Sequence, residues 1–179
     1  MKISHIRREY SGQTLTLENS AKNPIDQFTT WLEEVTGTEA TDPTAMTLAT
    51  VDANGHPDLR IVLLKGVSEQ GFNFFTNYNS AKGQELTQTP HAAVNFYWPS
   101  LTRQVKIRGS VEKLTESESD HYFKSRPKGS QIAAIASPQS QTIDQEQLLQ
   151  DFKILEEKFQ NQDAPPRPGI LGRLSINCK

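Results

Sequence analysis

Residues 60–65 read RIVLLK, an apolar run with a cation at each end. A strand points alternate side chains to opposite faces, so Arg60, Val62 and Leu64 share one face while Ile61, Leu63 and Lys65 share the other. Both faces are mostly apolar, which predicts a strand covered on both sides. An unpaired charge in such a setting is costly, so Arg60 and Lys65 each need an anion. A short loop leads to a second strand at 72–76 (FNFFT), and residues 77–83 (NYNSAKG) add hydroxyls, amides and another lysine, Lys82. The group reads as a phosphate-handling sheet edge. A plainer reading, an ordinary core strand capped by solvated charges, stands beside it.

The flanking text predicts further strands and some helices. Asn23 followed by Pro24 is a helix start, and Ile25, Phe28, Trp31, Leu32 and Val35 then fall on one helical face until Gly37. Trp31 reads as a packing residue. A strand is predicted at 46–51 (MTLATV), then a hairpin turn at 52–55 (DANG), where Asn-Gly supplies positive φ. Residues 81–89 read as a short helix stopped by Pro90, and 92–98 and 103–114 as strands. In the last of these Gln104, Lys106 and Arg108 form a polar face, either solvent or a wet ligand surface. Thr115 with Glu118 and Thr142 with Gln145 have the spacing of capping boxes. A short helix is expected at 130–136, and Leu148, Phe152, Leu155 and Phe159 form a stripe expected to be core. Residues 164–169 (APPRPG) read as a linker. Strands come in sequence with helices inserted and appended, without βαβ alternation. That pattern predicts an α+β protein built on an antiparallel barrel or sandwich.

Charge narrows the functions. Nineteen Lys and Arg against 21 Asp and Glu give a net charge of −2, which argues against broad nucleic-acid binding but leaves room for small anions. Cys178 is the single cysteine. A disulfide framework within the chain is therefore excluded and a reducing, cytoplasmic setting fits. Apolar runs are too short for a membrane helix. The four histidines lack metal-ligand spacing, and no Walker loop, GxGxxG segment or GxSxG elbow is present, so neither a metal site nor an acid–base catalytic residue is assigned. The remaining signal is a scatter of anion-binding types: Arg60, Lys65, Lys82, Arg126 and Ser130. Tyr122 and Arg126 lie four apart and share a helix face. With Ser130 nearby they can hold a phosphate, the arginine forked and the hydroxyls donating. A solvated helix end is the alternative.

In order and spacing, RREY (7–10), DPTAM (42–46), RIVLLK (60–65), FFTN (74–77), RQV (103–105), YFKSRPKGSQI (122–132) and SPQS (137–140) resemble the pyridoxamine 5'-phosphate oxidase family, from about residue 7 to about 162. The resemblance implies an antiparallel split β-barrel with flanking helices, assembled as a homodimer with FMN between subunits. It divides the chain into an arm (1–22), a barrel domain (23–168) and a divergent tail (169–179). It implies that Arg60 and Lys82 hold the FMN phosphate beside Phe75 and Thr76, and that Ile61, Val62, Leu63, Leu64 and Lys65 line the flavin. Gln104 would contact the ring, and Gln139 and Ser140 would reach FMN from the dimer interface. Lys65, Tyr122, Arg126 and Ser130 would take the substrate phosphate, with Arg7, Arg8, Glu9 and Tyr10 as an arm over the substrate. The implied chemistry is hydride transfer from pyridoxamine or pyridoxine 5'-phosphate to FMN, with oxygen as acceptor and hydrogen peroxide and pyridoxal 5'-phosphate as products.

Two departures qualify this. The family's Ser-Arg-Lys is here Ser80, Ala81, Lys82, which removes a cation worth about 1.5–3 kcal/mol in a charge-assisted contact. Residues 169–179 (GILGRLSINCK) also do not match the family's closing strands, with their tryptophan, Arg-Leu-His triplet and further arginine. Losing those strands predicts an open sheet edge. A catalytically impaired FMN- or pyridoxal-phosphate-binding protein is therefore the alternative, and a split-barrel flavoenzyme with another substrate is a third.

Overall fold

The computed structural model describes residues 3–7, 9, 12, 14–38 and 41–178. Its centre is a closed antiparallel barrel. Six strands are described: β1 (Ala45–Val51), β2 (Pro57–Ser68), β3 (Gly71–Asn77), β4 (His91–Trp98), β5 (Arg103–Lys113) and β6 (Leu171–Cys178). They pair in the order β1-β2-β3-β6-β5-β4, and β4 returns to β1. An open sheet edge, the expectation for a chain reading GILGRLSINCK at its end, does not form. β6 slots between β3 and β5, with Phe75 opposite Arg173 and Val111 opposite Ile176. Leu171, Leu174 and Ile176 are buried apolar side chains that complete the core, which is enough to make these residues a strand.

Alternation explains the barrel wall. In β1 Met46, Leu48 and Thr50 point inward, and in β4 Ala92, Val94, Phe96 and Trp98 do. Helix α1 (Pro24–Thr36) plugs the core with Phe28, whose ring meets Phe72 edge-on at 4.8 Å and Phe96 at 5.0 Å. Trp31 packs against this cluster, under the Arg103 guanidinium. The β1–β2 turn is the one its residues dictate: Asp52 Oδ1 accepts from the Asn54 and His56 amides at 2.8 Å, and Gly55 takes φ 85°.

Three expectations need correction. β2 is covered on one face only: Val62 and Leu64 turn to the core, while Leu59 and Ile61 are each 63% exposed and Leu63 37%. The remaining helices pack elsewhere, so this apolar row faces outward uncovered. Helix α5 (Gln145–Lys158) is capped by Asp144, not Thr142: Asp144 Oδ1 accepts from the Glu146 and Gln147 amides. Its stripe of Leu148, Phe152 and Leu155 is only half-buried, because α5 packs on α4 (Lys128–Ala136) rather than on the barrel. The Thr115–Glu118 capping box does form, at the start of α3 (Glu116–Ser125). Arg167, in the segment read as a linker, ties α3 to β6: it pairs with Glu116 and Asp120 and donates to the Leu171 carbonyl. Among the described residues, no helix is long and apolar enough to cross a membrane.

Candidate functional site

Two local features gather the chemistry. The first is a bulge in β2. Leu64 pairs with Phe74 and Gly66 with Asn73, leaving Lys65 as the extra residue. Leu64 and Val67 both face the core, so Lys65 and Gly66 are left together on the outer face. The second is helix α2 (Ala81–Gln88), begun by Ser80, whose Oγ accepts from the Gly83 amide at 3.3 Å. This cap brings Lys82 back over the sheet, 7% exposed, with Nζ 3.3 Å from Ser80 Oγ.

A groove of about 370 Å³ runs beside the stretch of β2 that β3 does not pair, lined by Arg60, Ile61, Val62, Leu63, Lys65, Phe75, Thr76, Lys82, Tyr122, Arg126 and Gln139. An adjoining recess of about 360 Å³ shares Phe75, Thr76, Arg126 and Gln139 with it and adds Ser130. Most of the sequence-predicted residues therefore meet at one place. Four do not. Leu64 is buried in the core. Gln104 lies on the outer face of β5, its amide donating to Asn95 Oδ1 at 2.7 Å. Ser140 is exposed in a left-handed conformation, φ 66°, beside Gln139. Of the arm, Arg7 and Glu9 are exposed and line neither recess, with Arg7 Nε donating to the Ser4 carbonyl. Arg8 and Tyr10 lie outside the described residues.

The groove has two electrostatically different ends. At one, Arg60 is held by the carboxylates of Asp58 and Glu85 (3.2 Å to the latter) and donates to Thr50 Oγ1, which in turn donates to Glu85. Burial and the neighbouring Arg60 charge lower the Lys82 pKa, while Glu85 and Asp58 act the other way. The Asp58 carboxyl is held below its usual range by the Leu59 amide and then by Arg60. This end is a preset network of cations and carboxylates. At the other end, Lys65 and Ser130 have no hydrogen bond or ion pair among the described residues, and Arg126 rests on the Phe75 ring at 5.4 Å. Tyr122 stacks on Phe75 at 4.9 Å; burial raises its pKa, opposed by Arg126 and Arg173. Two donors and two cations with no carboxylate among them suit a phosphate dianion.

Sequence reasoning missed the partners that hold Arg60. Asp58 was legible, since a residue two positions away on a strand shares its face. Thr50 comes to Arg60 through the β1–β2 hairpin, where it lies opposite Asp58; Glu85 carried no local signal, because it arrives on α2, which packs on β1. Arg173 was missed too; it lies in a segment that no motif marks.

A closed antiparallel barrel with flanking helices and two distinct cation sets along one groove is the architecture of a split-barrel protein. Comparison with known proteins sharpens that class. The family profile described as pyridoxamine 5'-phosphate oxidase matches residues 32–161. A pyridoxine/pyridoxamine 5'-phosphate oxidase of Acaryochloris marina is 51% identical over 167 residues, 93% of this chain and 76% of that protein. Among solved structures, PhzG from Burkholderia lata 383 in complex with tetrahydrophenazine-1-carboxylic acid matches with a TM-score of 0.86 and 27% identity, covering 94% of this chain and 84% of that one. A pyridoxamine 5'-phosphate oxidase-related, FMN binding protein from Nostoc punctiforme shares the fold, with a TM-score of 0.66 at 16% identity over 84% of this chain and 78% of that one. The chain belongs to the pyridoxamine 5'-phosphate oxidase family, and its class is that of an oxidase.

Proposed function

We propose that the chain oxidises pyridoxamine 5'-phosphate or pyridoxine 5'-phosphate to pyridoxal 5'-phosphate, using FMN and oxygen. The observation that carries this reading is the single groove lined by both cation sets. A flavin nucleotide and a phosphorylated vitamer each bring one phosphate, and each needs its own set. The donor chemistry fits FMN: Arg60, Lys82 and Thr76 form one cluster, and Ile61 and Leu63 offer exposed apolar edges beside it. Bound FMN supplies the hydride acceptor. The chain's own task is positioning. Arg60 and Lys82 hold the cofactor phosphate; Lys65, Tyr122, Arg126 and Ser130 hold the substrate phosphate; the short distance between the sets keeps the two rings adjacent. Gln139, shared by both recesses, is placed to contact either ligand. Overall, substrate and oxygen give pyridoxal 5'-phosphate and hydrogen peroxide, and the amine substrate also consumes water and releases ammonia.

A homodimer is part of the proposal. The outward row of Leu59, Ile61 and Leu63 continues across β1 and β4, where Ile61 lies opposite Thr47 and Thr47 opposite Asn95, to Tyr97, 56% exposed. Three large apolar side chains exposed in one row, with Tyr97 beyond the polar Thr47 and Asn95, are rarely left to water. A second copy covering this row would bring Gln104 and Ser140, neither of which lines the groove of its own chain, toward a shared cofactor. A cytoplasmic setting is also proposed, on the single cysteine.

The deciding experiment is a visible spectrum of the purified chain with FMN, followed by pyridoxamine 5'-phosphate in the absence of air. Bleaching of the flavin band is expected. A bound flavin that stays yellow would replace this reading with that of a binding protein.

A further inference from the structure

Five half-buried arginines are described, and three have carboxylates: Arg60 has Asp58 and Glu85, Arg103 has Glu34, and Arg167 has Glu116 and Asp120. Arg126 and Arg173 have none, and these two bracket one pair of rings. Arg126 stands over Phe75 and Arg173 over Tyr122, its guanidinium carbon 5.8 Å from the ring centre.

Arg173 reaches this place from β6, where it lies opposite Phe75. One terminal nitrogen of its guanidinium packs on Gly66, the residue after the bulged Lys65; a Cβ on that glycine would sit 2.7 Å from it. Its Nε is buried without a hydrogen-bond partner, and so is Asn73 Oδ1 from the residue paired with Gly66. Glu118 feels Arg173 through space but forms no ion pair with it and is instead held by Thr115. A half-buried guanidinium whose Nε is shut off from water and which forms no ion pair among the described residues is better satisfied when an anion lies near it. The groove one ring away is where such an anion would lie.

We propose that Arg173 is a positioning residue of the substrate-phosphate subsite: it fixes the Tyr122 ring from behind and adds the charge that makes the subsite prefer a phosphorylated ligand. This rests on the reading of Lys65, Tyr122, Arg126 and Ser130 given above. Gly66 is then part of the device, because only a residue without a side chain lets the guanidinium lie beside Lys65.

The test is calorimetric titration of the FMN-saturated chain with pyridoxal 5'-phosphate and, separately, with pyridoxal. Arg173→Met is expected to weaken pyridoxal 5'-phosphate about tenfold while pyridoxal binding stays the same, as loss of a nearby charge in a partly dry site implies. Arg173→Lys is expected to recover most of the loss. Gly66→Ala, which displaces the guanidinium but keeps its charge, should shift the phosphorylated ligand in the same direction, and these two variants carry the test if Arg173→Met does not fold. Equal weakening of both ligands would mean a merely structural arginine and would overturn the proposal. So would an unchanged preference in Arg173→Met when Arg126→Ala abolishes it. If the unsubstituted chain shows no preference for the phosphorylated ligand and Arg126→Ala changes nothing, the subsite reading itself fails and takes the proposal with it.

Discussion

Arg60 and Lys82 show how much a side chain's role depends on its neighbours. Both read as phosphate cations in the sequence, yet the structure gives Arg60 two carboxylates and Lys82 an almost complete burial. A charge-assisted contact from Arg60 to the FMN phosphate is worth about 1.5–3 kcal/mol. Arg60→Ala should therefore weaken FMN binding by roughly tenfold to a hundredfold. Arg103→Ala, which loses only Glu34 and the face of Trp31, should leave it nearly unchanged; flavin fluorescence quenching measures both, and equal effects would remove Arg60 from the cofactor site. Lys82 makes a pH prediction. Its pKa in the folded chain lies below the ordinary 10.5 because of burial, then Arg60. A phosphate dianion binds the protonated amine, so affinity is complete below the lowered pKa and falls as pH rises through it. The alkaline loss of FMN affinity should begin earlier than an exposed lysine would give, and Lys82→Arg should push it to higher pH.

Elements were legible where a local pattern decides them. The α1 stripe, the Asp52–Gly55 turn and the Thr115 capping box each depend on residues within a few positions of one another, and each forms. The cap of α5 separates two local signals: Thr142 has the right spacing to Gln145, but Asp144 makes the bonds. Asp144→Ala should cost about 1 kcal/mol in urea unfolding, and Thr142→Ala much less; the reverse order would mean that the helix starts earlier. The β2 bulge was not legible. It arises from the β2–β3 register, and that depends on Gly71 at φ 140°, whose Cβ would lie 2.2 Å from the Ile176 carbonyl oxygen. Gly71→Ala should destabilise the barrel by more than about 2 kcal/mol, through strain and the clash with β6 together, read as a lowered urea midpoint.

At the scale of the whole molecule, strand order led to an α+β antiparallel barrel or sandwich and the family resemblance to the split barrel, whereas the covered and uncovered faces followed from neither. RIVLLK is apolar on both sides, and nothing in its residues says that Leu59, Ile61 and Leu63 would face outward with no helix over them. The site shows the same division. Lys65, Tyr122 and Arg126 belong to recognisable motifs, but Glu85 meets Arg60 only through the packing of α2 on β1, and Arg173 lies beside Tyr122 only because β6 pairs with β3. The proposed dimer gives a direct check: Ile61→Lys on the exposed face should shift the chain to a monomer in size-exclusion chromatography and lower FMN affinity along with it, while an unchanged elution volume would move the interface elsewhere. The closing strand has a further consequence, in time rather than in space. β3 ends at Asn77, but its second neighbour, β6, begins at Leu171. On the ribosome the sheet stays an open ribbon until the residues of β6 have been added and have left the exit tunnel. The closed core, the arrangement of both cation sets and the Arg173 contact are thus acquired together, once β6 has paired with β3 and β5. Over that interval the unpaired edges of β3 and β5 are the surfaces a chaperone would be expected to hold.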